Sequence, residues 1–218
     1  MLYTKSTGKE LLEVLRKLMS LELLADFRLV GGTALSLLRG HRISEDIDMF
    51  TYQEYGAVDF IAVENEIKQA FPYLWNTSDE FPELKENKTG LHLYIGEDKK
   101  SAVKVDILNW NDPFYFEQKI IDGIRLATLE EIATMKLDTI SRGGRKKDFW
   151  DLSEILESYT LSALMELYQK KYEYYDIAEV KKGLTDYAVA EKMPDPICLK
   201  GKTWETIKQQ IINEAGKL

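Results

Sequence analysis

Gly31-Gly32-Thr33-Ala34-Leu35, followed by Gly40-His41-Arg42-Ile43-Ser44-Glu45-Asp46-Ile47-Asp48-Met49-Phe50, sets a small-residue turn ahead of two carboxylates spaced i, i+2. That is the layout of a metal-dependent phosphoryl-transfer site. Phe27-Arg28-Leu29-Val30 reads as a short strand, and Gly31-Gly32-Thr33 lets the backbone turn before a helix over Ala34 to Arg39. Exposed N–H groups at such a helix start can cradle a polyphosphate. Asp46 to Phe50 alternates polar with apolar, so a strand there puts both aspartates on one face and Ile47 on the other. Two carboxylates about 6.6 Å apart along one face repel each other unless a cation lies between them. Either feature alone is ordinary in an α/β turn or at a strand edge; their conjunction is what calls for a chemical reason.

A third carboxylate is Asp106. Val103, Val105 and Ile107 alternate with Lys104, Asp106 and Leu108, which puts Lys104 and Asp106 on the same strand face. Gly90 to Gly96 precedes it, with Glu97-Asp98-Lys99-Lys100 as the turn, so the two segments read as a hairpin. Beside the Asp46 strand, that hairpin would bring three carboxylates together. Mg²⁺ takes oxygen ligands and leaves positions for water and phosphates, and two such ions can activate an attacking oxygen and neutralise the leaving pyrophosphate. Asp46, Asp48 and Asp106 therefore form a suitable donor set in which one carboxylate pair bridges and the third completes the nucleophile-side ion, with Mn²⁺ as the alternative ion.

The residues Gly31-Gly32-Thr33-Ala34-Leu35, Gly40-His41-Arg42, Ser44, Asp46-Ile47-Asp48 and Phe50, with the later block from Lys136 to Leu152, resemble the AbiEii/AbiGii-type nucleotidyltransferases of the DNA-polymerase-β-like superfamily. The resemblance implies that Gly31, Gly32 and Thr33 contact the phosphates of an NTP and that Asp46 and Asp48 bind the metal. Asp106 fits the third carboxylate of the superfamily. Lys136, followed by Lys147-Asp148-Phe149-Trp150-Asp151-Leu152, matches a lysine and an Arg/Lys-Asp-x-x-Asp-Leu run; by that match Lys136 serves the triphosphate and Asp148 orients a basic residue or the nucleotide. The same resemblance implies the toxin of a bacterial toxin–antitoxin or phage-defence system with a separately encoded antitoxin. Its implied acceptor is the 3′ end of a tRNA, with a protein as the alternative. A non-catalytic NTP-binding module, and a non-toxic enzyme that modifies a protein, remain the rival readings; a distant Asp106 would favour the first.

The elements that must position these groups follow from periodicity. A helix from Lys9 to Leu24 capped by Thr7, a helix near Val58 to Phe71, and the strands above predict a mixed α+β catalytic lobe over residues 1–125. Residues 126–218 read as a helical lobe completing the nucleotide and acceptor cleft. Thr128-Leu129-Glu130-Glu131 has capping-box spacing and starts a helix to Ile140 with Ile132, Met135 and Thr139 inward. Phe149, Leu152, Ile155 and Leu156 form the apolar face of the next helix. Three further faces are Leu161, Leu164, Leu167 and Tyr168; Ile177, Val180, Leu184 and Tyr187; and Trp204, Ile207, Ile211 and Ala215. Asp151 reads as a helix-surface partner, Pro194 to Gly201 as a linker, and Tyr168, Tyr172, Tyr174 and Tyr175 as core. His41 reads as a loop residue that structures the loop or touches substrate, and His92 as part of a strand face.

Composition bounds the rest. The chain of 218 residues has a formal net charge of −8 and 44% hydrophobic residues, which suits a sizeable core and disfavours a general nucleic-acid coat protein. The interval from Lys136 to Asp148 is locally basic against that background. A single cysteine, Cys198, excludes an intramolecular disulfide and a cysteine zinc cluster. The polar first ten residues and the charges breaking Leu11 to Leu24 predict no signal peptide and no membrane partner, hence a cytoplasmic enzyme.

Overall fold

The structure, a computed structural model, describes residues 1–77 and 89–218. Among the described residues seven strands form one mixed sheet: β1 (Arg28–Leu29), β2 (Asp46–Thr51), β3 (Tyr73–Asn76), β4 (Gly90–Gly96), β5 (Val103–Asn109), β6 (Lys119–Ile121) and β7 (Ile124–Leu126), in the order β3-β4-β5-β2-β1-β7-β6. The pairs β2·β5 and β1·β7 are parallel and the others antiparallel. The expected hairpin is present as β4 and β5, and β2 lies beside β5. Strict alternation explains the register. Ile47, Met49, Val105 and Ile107 are fully buried on one face, which forces Asp46, Asp48, Lys104 and Asp106 onto the other.

Helix α1 (Lys9–Met19) buries Leu11, Val14, Leu15 and Leu18 beneath the sheet, at the spacing of one helical face. It ends earlier than its periodicity suggests. Ser20 closes the last turn back onto Lys17, and Glu22–Leu24 form a separate 3-10 turn whose Glu22 and Leu23 amides donate to the Glu66 carboxylate. The N-cap is Gly8, and Thr7 instead bridges to Ser44. Helix α2 (Gly31–Arg39) begins at the glycines themselves rather than after them. Asp59 caps α3 (Phe60–Ala70) by accepting from Ile61 and Ala62.

The second half is helical: α4 (Leu129–Ser141), α5 (Lys146–Ile155), α6 (Leu161–Lys171), α7 (Ile177–Gly183) and α8 (Trp204–Ala215). Thr128 caps α4 as its spacing suggests. Glu131 does not complete a capping box, because its carboxylate accepts from the Tyr115 and Phe116 amides and pairs with Lys171. Helix α7 stops before Leu184 and Tyr187, since Gly183 brings the chain against the Ile140 carbonyl of α4 and a turn follows at Thr185 and Asp186. Residues 194–201 are no free linker: Ile43 donates to the Ile197 carbonyl at 2.9 Å, Leu199 to that of His41 at 2.8 Å, and Cys198 pairs with Arg42. Of the four tyrosines, Tyr168 and Tyr172 are buried, whereas Tyr174 is 97% exposed and Tyr175 also lies at the surface.

One buried apolar cluster runs from Leu2 through the sheet and α2 to Ile211 of α8, so the helices and the sheet share a core. Arg125 of β7 ties its edge: Nε donates to the Phe27 carbonyl, Nη1 to Met19 and Nη2 to Leu24, at 2.8–3.0 Å. Removing this guanidinium takes a donor from all three carbonyls, of which that of Leu24 keeps the Phe27 amide. Arg125→Ala is expected to cost about 2–3 kcal/mol, read as a lower urea midpoint with an unchanged slope; an unaltered midpoint would show that water replaces the bonds at no cost.

Candidate active site

The Gly-Gly turn, the β2 aspartates and the α4 and α5 residues of the Lys136 block border one cleft of about 780 Å³ including its open mouth. Its walls include Gly31, Gly32, Thr33, Asp46, Asp48, Lys136, Lys147 and Asp148. Of the sequence-derived site residues, Gly31, Gly32, Thr33, Asp46 and Asp48 therefore meet Lys136 and Asp148 across about a hundred residues of chain, whereas Asp106 is not in the lining and joins them only as the β5 neighbour of Asp48. A second groove adjoins it and shares Arg42, Ser44, Asp46, Arg145 and Lys147. Asp46 is thus accessible from two sides.

Both glycines are required by close approach. Gly31 has φ +66°, and a Cβ there would lie 2.7 Å from Asp48 Oδ2. A Cβ on Gly32 would strike the Arg42 guanidinium. The first amides of α2 have no intrahelical acceptor, and no side chain caps them, so they remain directed at the cleft. Thr33 is oriented differently from the expectation of a hydroxyl on phosphate. Its Oγ1 donates to the Asp46 carbonyl and is 2.8 Å from Ser44 Oγ, so it braces β2 against α2.

Parallel register sets Asp48 directly beside Asp106 and Asp46 beside Lys104. The three carboxylates share a sheet face, as alternation requires. Asp48 is pushed up to about 6, first by burial and then by the charge of Asp106, with Asp46 adding and Lys136 and Lys104 opposing. That uncompensated negative potential, on hard oxygen donors, is what a divalent cation relieves, so the residues fit such an ion. Among the described residues no three potential ligands already close around a point. Asp46 Oδ2 pairs with Lys147 at 3.1 Å, while Asp106 holds Lys104 at 2.6 Å and His92 at 2.7 Å. Ammonium groups stand where cations are wanted.

The Lys136 block forms the opposite wall. Lys136 is buried rather than set aside from the core, and its Nζ lies 2.6 Å from Asp148 Oδ1 and 2.7 Å from Asp151 Oδ2. Burial opposes its charge, but Asp148 and Asp151 outweigh it and raise its pKa. Met135 and Thr139, expected inward, line the cleft, while Ala133, Leu137 and Ile140 join Ile132 in the core. Asp148 also accepts from the Arg145 amide at 2.9 Å, so it pins the start of α5.

Asp151 departs most from its sequence reading. It is fully buried, not at the helix surface. Its oxygens take both Arg42 Nε (2.7 Å) and Nη2 (2.9 Å), His41 Nε2 (2.8 Å) and Lys136. Despite burial, Arg42 and Lys136 hold its pKa well below the usual carboxylate range. His41 is therefore a buried structural residue. Arg42, Lys104, Lys147 and His92 were not legible as site residues, although alternation put Lys104 on the face of Asp106. Phe50 and Trp110, stacked at 5.0 Å, and Tyr172 add an aromatic edge to the cleft.

The family model described as nucleotidyl transferase AbiEii toxin, type IV TA system, matches residues 13–215. An uncharacterized protein of Aquifex aeolicus (strain VF5), aq_aa25, is 31% identical over 188 residues, 84% of this chain and 84% of that protein. A crystal structure of a candidate nucleotidyltransferase from H. pylori superposes with TM-score 0.60 at 19% identity, covering 96% of this chain and 91% of that one. MenT4, the nucleotidyltransferase toxin Rv2826c from Mycobacterium tuberculosis H37Rv, gives TM-score 0.52 at 16% identity over 95% and 84% of the two chains.

Proposed function

The chain belongs to the AbiEii nucleotidyltransferase toxin family, and from that premise we propose that it moves an NMP from an NTP to an acceptor hydroxyl, with the 3′ end of a tRNA as the acceptor. The observation that carries this reading is the placement of Asp46, Asp48 and Asp106 on one sheet face opposite the uncapped start of α2. The family supplies the enzyme class and the toxin role.

The amides of Gly31, Gly32 and Thr33 receive the triphosphate, and Lys136, held by Asp148 and Asp151, gives the same wall a fixed positive charge. Asp46 and Asp48 would hold the divalent ion, Mg²⁺ by preference. When bound there, it neutralises charge on the triphosphate and on the departing pyrophosphate. The acceptor enters by the adjoining groove, where Arg145 and Lys147 meet a polyanion. Asp106 accepts the hydrogen bond of the attacking hydroxyl and takes its proton as the new bond forms. A bond from that oxygen to the α-phosphorus forms as the bond to the β-phosphate breaks, and pyrophosphate leaves with the electron pair. Positioning and electrostatics supply most of the acceleration. A separately encoded antitoxin completes the system as the regulatory partner. Among the described residues no helix is long and apolar enough to cross a membrane.

The test is transfer of label from each α-labelled NTP, with Mg²⁺, to total RNA or to a protein extract. Label is expected on small RNA with one NTP, and on nothing with an Asp46→Ala/Asp48→Ala double variant. Label on protein alone would replace the tRNA acceptor; equal labelling by the double variant would remove the reading altogether.

A further inference from the structure

Asp106 is the one carboxylate of the three with a protein donor on each oxygen. Lys104 Nζ lies 2.6 Å from its Oδ2, and His92, paired opposite it on β4, is 2.7 Å from its Oδ1. Lys104 reaches this position through strand geometry, two residues before Asp106 on the same face and directly beside Asp46. Its location is a property of the register, and no side-chain excursion is needed to create it. Lys147 differs. It arrives at Asp46 from α5, at 3.1 Å, and can exchange Asp46 for phosphate without disturbing the sheet. Among the described residues Asp48 forms no direct ion pair. The carboxylate face therefore has a position open to a divalent ion at Asp46 and Asp48, and one already filled by an ammonium at Asp106.

We propose that Lys104 permanently occupies the place a second divalent ion would take, so that this chain recruits a single ion, at Asp46 and Asp48, and meets the acceptor side with its own ammonium. The inference rests on the nucleotidyl-transfer reading above. Three carboxylates with Lys104 among them carry a formal charge that one divalent ion balances. A second ion at Asp106 would need oxygen ligands in near-octahedral array, from a carboxylate whose oxygens are already in charge-assisted bonds. An ammonium has three donors; one is spent on Asp106, leaving two for oxygen atoms of the entering acceptor or the α-phosphate. Lys104 is therefore a positioning cation, and His92 keeps Asp106 turned toward it.

The experiment counts Mn²⁺ by electron paramagnetic resonance. Wild-type protein, Lys104→Met, Lys104→Arg and Asp48→Asn are titrated with Mn²⁺ in the presence of each α,β-methylene NTP in turn. The expected result is one protein-bound Mn²⁺ in the wild type and in Lys104→Arg, and two in Lys104→Met. Two ions in the wild type would overturn the Lys104 assignment while leaving nucleotidyl transfer intact. A single ion in Lys104→Met would overturn it as well, since the ammonium would then be holding no ion's place. Binding undiminished by Asp48→Asn would instead remove the metal site itself, and the proposed function with it. Lys104 is 41% exposed on its side chain, and Lys104→Arg preserves the charge should Lys104→Met not fold.

Discussion

Asp48→Asn is expected to abolish transfer, on the order of 10³-fold or more by analogy with the loss of one preorganised electrostatic group, while making the unliganded protein more stable. The two effects have one cause. Asp48 is buried and then crowded by the charges of Asp106 and Asp46, which raises it from 3.8 to about 6. A carboxyl that holds its proton more tightly when folded favours the fold at low pH. That advantage declines as pH climbs from the unfolded value through about 6, so above pH 6 the ionised group is a standing cost. Binding the proton that much more tightly corresponds to about 3 kcal/mol, and residual solvent contact reduces this to about 1–3 kcal/mol. Thermal unfolding of the two proteins should coincide near pH 3.5 and separate progressively to pH 7.5, the variant melting higher. Added Mg²⁺ should close the gap by stabilising the wild type alone. A stability difference that ignores pH would refute this account of Asp48.

Asp151→Ala is expected to produce the largest loss of stability of any single polar substitution near the cleft. The carboxylate is the shared counterion of Arg42 and Lys136, both buried, and also receives His41. Lys136 keeps Asp148 at 2.6 Å, but Arg42 would be left as an uncompensated charge in the interior. Breaking such a group by removing one partner costs about 3–5 kcal/mol. At about 2–4 °C per kcal/mol for a chain of this size, the melting temperature should fall by about 10 °C. The Arg42 guanidinium also packs against Gly32 at the start of α2, so its release loosens the phosphate wall. Asp151→Asn, which keeps shape and removes charge, should lose most of the same stability. A drop of only 1–2 °C would mean that water reaches Arg42 and that the network is not sealed.

The site was legible where local periodicity alone determines geometry. Alternation in Asp46 to Phe50 and in Val103 to Ile107 allows one arrangement of faces, and burial of Ile47, Met49, Val105 and Ile107 enforces it. The same rule put Lys104 on the face of Asp106 before any pairing was known. The Gly-Gly turn, the Thr128 cap and the helical lobe are likewise local, since glycine, hydroxyl caps and a 3.6-residue apolar period act within a few residues. The mixed α+β class followed from these elements.

What tertiary structure decided was the identity of partners at long sequence separation. Asp151 looked like a surface residue because its helix period says only that it faces away from Phe149, not that Arg42 and His41, about 110 residues earlier, will cover it. Glu131 fits a capping box by spacing, yet the chain at Tyr115 and Phe116 supplies amides that hold it instead. Residues 194–201 carry every local mark of a linker, and the edge offered by His41 to Ile43 makes them part of the wall. Thr33 has a hydroxyl suited to phosphate, but the adjacent β2 carbonyl claims it. Sequence by itself determined which side chains share a face, because that depends on backbone period alone. Which charges meet across faces was left to the fold, because a buried ion pair forms only where packing excludes water and brings both partners within hydrogen-bond reach.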